Sequence, residues 1–367
     1  MSLTENEKKM GEAVSNLALP QNSRIVTSFN REKLPVLANT LVRSITLKPS
    51  SPRSSSWTVE QQSRLIESFI MNIPVPPIIL YEYEKAYKFY ELVDGQQRIN
   101  TICAFYANRL KLVGLEMRPE LNGCTFGTLR WNIKNTLEHR SIILIAIITK
   151  WADTHKNALF LKQRALERLN MGRLEQQEVR NLVYKGKFNA LLFELAEQPL
   201  FVKAWNISPK QAFYKKMEDV ELILRFFALR LMEYMQGGLN QFLDFYMMKS
   251  LGFSDADLEF LKALFLETLN LAHQLYGETL FKPFNPKSHD WKNQPNKPYY
   301  EAVMVGLSRH LPVADVLIER RHRVMEKTKC LFENEEVGIW SNSKNRDAEI
   351  QKRITLFDNL FSQVIEE

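Results

Sequence analysis

Cysteine is scarce: the 367-residue chain has three, Cys103, Cys124 and Cys330. They are far apart, odd in number and never spaced as Cys-x-x-Cys. That excludes a disulfide framework and argues against a structural zinc site. A reducing compartment fits best. Long apolar runs are also missing. The longest, Ile142 to Ile148, falls far short of the roughly 18 residues that a membrane span needs. Its β-branched content reads as a buried strand. The first residues, MSLTENEKKMGEAVS, are charged and contain no signal-peptide hydrophobic region. A cytoplasmic protein with no membrane partner is expected. There is no Walker-type phosphate loop, which excludes a P-loop NTPase. Neither a Gly-x-Ser-x-Gly elbow nor a His-Glu-x-x-His pair occurs. Internal repeats and low-complexity tracts are absent as well.

What remains is globular in character, with 45% hydrophobic and 25% charged residues. The length supports more than one domain. The net charge of +7, with a pI near 9.1, favours polyanions such as nucleic acid or nucleotide phosphates. The charge is spread along the chain, and the basic run Glu319-Arg320-Arg321-His322-Arg323 reads as a solvated helix face or a DNA-facing stripe.

The texture changes along the chain. Residues 1–40 read as a peripheral arm with short helices at Met10–Leu17 and Arg31–Asn39. Residues 41–150 alternate strand and helix signals. Arg43–Leu47 is a strand, and a loop rich in Pro and Ser follows it. Thr58 and Gln61 form a capping box that opens a helix, which Asn72-Ile73-Pro74 ends. Pro76–Tyr81 and Tyr87–Val93 look like a hairpin, Arg98–Tyr106 a helix, and Leu110–Val113 and Ile142–Ile148 further strands. From 151 to 367 helical periodicity dominates, with helices expected near 158–170, 176–184, 219–235, 241–248, 255–276, 299–309, 314–331 and 347–364. Gly237-Gly238 and Lys282–Pro298 read as loops. The fold class is therefore α+β: a small α/β head followed by a large all-helical domain.

The chemistry concentrates at Glu91-Leu92-Val93-Asp94-Gly95-Gln96-Gln97-Arg98. An apolar strand runs into Asp-Gly and a helix follows at once. A helix N-terminus offers free backbone N–H groups and partial positive charge, which suit phosphate. Gly95 lets the backbone come close to a ligand. Arg98 can grip phosphate through its fork of donors, and Gln96 and Gln97 add neutral donors. Asp94 could orient a water, hold a metal or cap the helix. The plainer reading is a strand entering a helix, with Asp94 as the cap and Arg98 in solvent.

This loop resembles the signature of the family typified by the S half of the GmrSD modification-dependent restriction system. Other segments carry the likeness further. Arg53 and Trp57 resemble the family's stretch before its first helix. Arg64-Leu65-Ile66-Glu67-Ser68-Phe69-Ile70, followed by Ile73-Pro74-Val75-Pro76-Pro77-Ile78, resembles the next segment. Arg168-Leu169-Asn170-Met171-Gly172, Gln177-Glu178-Val179-Arg180-Asn181, and Asp219 with Leu224-Arg225-Phe226-Phe227 resemble later elements. The likeness runs from about Ile45 to Leu231. It implies a ParB/sulfiredoxin-like head, in which a Gly-x-x-Arg loop meets phosphate, and an NTP-hydrolysing module in defence against foreign DNA. On this chain it implies catalytic roles for Asp94, Gln97 and Arg98. It also implies a nucleoside triphosphate with Mg2+ held by Arg53, Gly95, Gln96, Arg98, Thr101 and Asn170, with Asp94 as the candidate Mg2+ contact. Glu178, Arg180 and Arg225 could support that pocket or form ion pairs among helices. For a buried Arg225, Glu178 or Asp219 would serve as partner. His139 and His155 are isolated, and His273, His289, His310 and His322 are too scattered for a His-Asn-His nuclease metal site. DNA, a separately encoded nuclease and a second copy of the chain are the expected partners besides nucleotide. A ParB-like DNA-binding or nicking protein and a non-catalytic interaction protein are the alternatives.

Overall fold

The computed structural model describes residues 24–46, 57–82, 90–150, 155–170, 175–235, 238–334, 337–340 and 347–367. The expected helix at Met10–Leu17, the loop around Arg53, Met171-Gly172 and Gly237 lie outside these residues. The chain divides into two compact units, one holding the described residues up to 170 and the other those from 175 onward. The fold class is α+β, as the sequence indicated.

The first unit is a five-stranded mixed sheet with helices on it. Its strands are β1 (Arg24–Lys33), β2 (Ile45–Thr46), β3 (Ile78–Glu82), β4 (Tyr90–Asp94) and β5 (Ser141–Lys150), in the order β1-β5-β3-β4-β2. β1 and β5 pair antiparallel along their whole length, from Arg24↔Lys150 to Lys33↔Ser141. β3 runs parallel to β5 and antiparallel to β4. The expected hairpin is therefore real, although its connection falls outside the described residues. β2 is short and parallel to β4.

Alternation along β5 splits the sheet into two faces. Ile142, Leu144 and Ala146 are buried on one face. There they meet α2 (Val59–Met71), α3 (Gln96–Tyr106) and α4 (Trp131–His139), through Ile66, Phe69, Ile99, Ile102, Phe105 and Leu137. α2 begins at the predicted capping box, with Thr58 and Gln61 bonded reciprocally. It ends at Asn72, whose left-handed backbone (φ 59) turns the chain away. α5 (His155–Asn170) packs on β5 and β1. Its Lys162 reaches the other sheet face, where Nζ lies 2.6 Å from Glu91 Oε2 and 4.4 Å from the centre of the Tyr81 ring. Lys162 and Glu91 are both almost wholly buried.

Three sequence expectations change here. Residues 24–33 form a sheet strand, where an arm was read. The helix after it is α1 (Leu34–Asn39), whose start is set by Pro35 in its first turn. Arg43 lies in a 3-10 turn, Leu41–Ser44, so only Ile45 and Thr46 join the sheet. Leu110–Val113 is no strand. Leu112 instead exchanges backbone bonds with the Gly123-Cys124 turn at 2.7 and 2.9 Å, and Val113 N–H donates to Ser63 Oγ at 3.0 Å.

The second unit is helical: α6 (Gln176–Val183), α7 (Lys187–Ala196), α8 (Pro199–Trp205), α9 (Ala212–Lys215), α10 (Glu218–Leu229), α11 (Leu239–Ser250), α12 (Asp255–Tyr276), α13 (Lys297–His310), α14 (Ala314–Glu319), α15 (Arg321–Asn334) and α16 (Asp347–Glu366). The bounds of α12 match the expectation. The helix read at 314–331 is two helices, and α7 to α9 had not been anticipated. The loop before α13 contains a small antiparallel pair, β6 (Phe284–Asn285) and β7 (Asp290–Trp291). No helix among the described residues is long and apolar enough to cross a membrane.

The Lys162–Glu91 pair yields a test. Replacing Lys162 with Ala takes the ammonium away from a buried carboxylate, at a cost of about 3–5 kcal/mol. Urea unfolding should show that loss, and Lys162→Met with Glu91→Leu should recover most of it. Equal stability of Lys162→Ala and wild type would remove the pair from the fold's energetics.

Candidate functional site

The loop between β4 and α3 is held by contacts on every side. Gly95 is buried and left-handed, at φ 108 and ψ 13, and is the N-cap of α3 without any side-chain cap bond. A Cβ here would lie 2.9 Å from Ile78 Cγ1 and 3.3 Å from Ile78 Cα. Both the dihedral and the space therefore call for glycine. The Gly95 carbonyl accepts the first helical bond, from Ile99 N–H at 2.9 Å. The earlier N–H groups of the turn have no partner within the helix, as at any α-helix start.

Arg98 is the central side chain. Its Nη2 donates to Asp94 Oδ2 at 2.6 Å and to the Pro77 carbonyl at 3.2 Å. Its side chain is 10% exposed and that of Asp94 is 43% exposed. This corrects the plainer reading of the loop: Asp94 does not cap the helix, and Arg98 is not in solvent. Asp94 is the counterion of Arg98, one helical turn away. Arg98 Nε is buried with no hydrogen-bond partner. Nη1 likewise makes no hydrogen bond among the described residues. Only one nitrogen of the guanidinium fork is committed.

The other loop residues sit close by. Gln97 Oε1 faces Trp57 N–H at 3.5 Å, a long contact that joins the start of α2 to the loop. Thr101 is buried, and its hydroxyl donates to the Gln97 carbonyl at 2.7 Å, so it braces the first turn from within. Gln96 is half-buried at the first helical position. Arg53 lies outside the described residues. Asn170 is the last residue of α5, and its side chain is likewise outside them.

Glu178, Arg180 and Arg225 belong to the helical unit and are engaged there. Glu178 accepts from Glu175 N–H at 2.7 Å and so caps α6. Arg180 is buried between Asp244 (2.7 Å) and Glu221 (3.4 Å). Arg225 pairs with Glu221 and Glu301, each at 2.7 Å, and Glu301 also meets buried Arg353 at 3.1 Å. Burial works against the charged form of Arg225, but Glu301 and Glu221 outweigh it and raise its pKa. The partners named for Arg225 from sequence were Glu178 or Asp219, whereas the structure gives Glu221 and Glu301. The Glu221 pairing had a sequence signal, since it lies four residues earlier on the same helix. Glu301 is 76 positions away and had none.

An open groove of about 610 Å3 runs beside α3, lined by Ala38, Val42, Asn100, Cys103, Tyr106 and Arg109 among others. The Asp94–Arg98 loop does not line it, and burial raises the pKa of the half-buried Cys103 thiol there. Among the described residues, no group of three His, Cys, Asp or Glu side chains could hold a metal. Asp94, the candidate Mg2+ contact of the sequence reading, has its Oδ2 on Arg98.

Gly95→Ala should therefore destabilise the sheet unit by about 1–3 kcal/mol, from the strained backbone and the clash with Ile78. Thermal unfolding measures it. An unchanged midpoint would show that the loop has room this geometry denies.

The family model for the GmrSD restriction endonuclease, N-terminal domain, matches residues 39–243, more than half of the 367 residues. No curated protein and no solved structure matches the chain. The matched span contains β2 to β5, the glycine-turned loop with its Asp94–Arg98 pair, and Arg180 and Arg225. On that span the chain belongs to the GmrSD restriction endonuclease N-terminal domain family.

Proposed function

We propose that the Asp94–Arg98 loop binds the phosphates of a nucleoside triphosphate and hydrolyses it, as the nucleotide-driven part of a restriction system. The observation that carries this reading is the half-used guanidinium of Arg98. One nitrogen is fixed by Asp94 and Pro77, while Nη1 and Nε are left without partners beside the N-terminus of α3. A cation oriented but not saturated, beside a helix N-terminus, suits an anion with several oxygens.

In this reading Gly95 and Gln96 bring backbone N–H groups to the phosphate oxygens, with Arg53 and Asn170 as further contacts. Gln97 orients a water toward the γ-phosphorus. That water's oxygen forms the new P–O bond while the bond to the β–γ bridging oxygen breaks, and the nucleoside diphosphate leaves with the electron pair. Arg98 neutralises the charge that gathers on the transferred oxygens. Asp94 holds Arg98 in place, and its carboxylate takes the water's proton or contacts Mg2+. When bound, Mg2+ supplies charge neutralisation across the phosphates. DNA cutting falls to a nuclease domain or a separately encoded partner.

A thermal-shift panel of the four ribonucleoside triphosphates with Mg2+, together with phosphate release, tests the proposal. At a ligand concentration 100 times Kd the folded state gains about 2.7 kcal/mol, so at least one nucleotide should raise the midpoint. Arg98→Ala should weaken binding tenfold or more and abolish phosphate release. Asp94→Asn keeps the shape, loosens Arg98 and should lower turnover more than affinity. If no nucleotide shifts the midpoint, or if Arg98→Ala binds and turns over like wild type, the proposal is wrong. The basic net charge of +7 supports one other reading, in which the same loop holds DNA backbone phosphate. Binding to DNA that needs no nucleotide and falls steeply with salt would favour that reading instead.

A further inference from the structure

β1 forms one edge of the five-stranded sheet. Its inner side pairs with β5 over all ten residues, with no break in register. Its outer side makes no hydrogen bond among the described residues. Natural edge strands are kept short, charged, bulged, proline-containing or covered, because an open ladder invites another chain. β1 shows little of this. It has no proline and no bulge, and its middle, Ile25-Val26-Thr27-Ser28-Phe29-Asn30, carries no charge. Phe29 is 69% exposed and Ile25 37% exposed. Both lie on the face shared with Ile143, which is opposite Arg31 and 42% exposed. A long, regular edge with an uncharged middle, beside exposed apolar side chains, is an aggregation site unless something pairs with it.

We propose that β1 is a dimerisation strand, which pairs antiparallel with β1 of a second copy of this chain and joins the two sheets into one. A two-fold axis perpendicular to the sheet keeps each face on its own side, so odd-numbered residues oppose odd-numbered ones. The register centred on Ser28 suits the sequence. It sets Arg24 against Glu32 of the second copy, and symmetry repeats that opposite-charge pair. It lays Ile25 along the aliphatic stem of Arg31 of the second copy. Phe29 opposes Thr27 of the second copy, and the two Phe29 rings stand diagonally, about 7–8 Å apart and within aromatic reach. No like charges face one another across the pair. The second copy is thus favoured over an unrelated strand because β1 complements itself.

Size-exclusion chromatography with light scattering on the full chain tests this. The expected mass is that of a dimer. Phe29→Lys sets two cations near the axis and should give a monomer with an unchanged circular dichroism spectrum. In a Cys330→Ser background, Ser28→Cys places two thiols directly opposite, at a Cβ separation of about 4.5–5.5 Å that a disulfide can nearly span. Mild oxidation should trap a covalent dimer, whereas Val26→Cys, off the axis, should not be trapped. A monomeric wild type overturns the proposal. So does a dimer that survives Phe29→Lys and is not trapped through Ser28→Cys. If Phe29→Lys fails to fold, the cysteine trap alone decides.

Discussion

One nitrogen of Arg98 ties together three parts of the sheet unit. Through Asp94 it holds the end of β4, through the Pro77 carbonyl it holds the approach to β3, and its own backbone is the first turn of α3. The turn that allows this closeness is possible only because Gly95 has no Cβ to meet Ile78. Charge and sterics thus fix the same few atoms. A hydrogen bond to a charged group contributes about 1.5–3 kcal/mol, whereas an uncompensated buried guanidinium would cost more. The pair is therefore set by the fold and in turn sets the direction of the fork.

Buried charge recurs away from this loop. In the sheet unit, Lys162 comes down on Glu91 and Tyr81 and docks α5 onto the strands. In the helical unit, Arg180, Asp244, Glu221, Arg225, Glu301 and Arg353 form a chain across α6, α10, α11, α13 and α16. Three cations and three anions balance within it. Apolar residues of similar volume could give as much stability. What the ions impose is pairing: each helix must present its charges at fixed places, and a slipped helix would leave a bare charge inside.

Local chemistry made much of this legible in the sequence. The Thr58 capping box and the Asn72 stop defined α2, and helical periodicity set the bounds of α12. The Asp-Gly turn between a strand and a helix marked the candidate site, and the accompanying motifs identified the family. What stayed hidden depended on distant partners. β1 pairs with a strand more than a hundred residues later, so its own short, mixed segment looked like an arm. Lys162 and Glu91 are 71 positions apart. The role of Asp94 was open because a carboxylate before a helix usually caps it. Only the position of Arg98 shows which way it turned.

The ion chain of the helical unit also bears on what counts as a module. The family match ends at residue 243. The nearer carboxylate on Arg180 is Asp244, the very next residue, and the one shared by Arg225 and Arg353 is Glu301, on α13. A fragment cut at the end of the family match would keep the two buried arginines and discard these anions. The unit that evolution copies and the unit that can stand alone in water are therefore different lengths of chain. Helices beyond the shared segment are structural completion for it, whatever else they do.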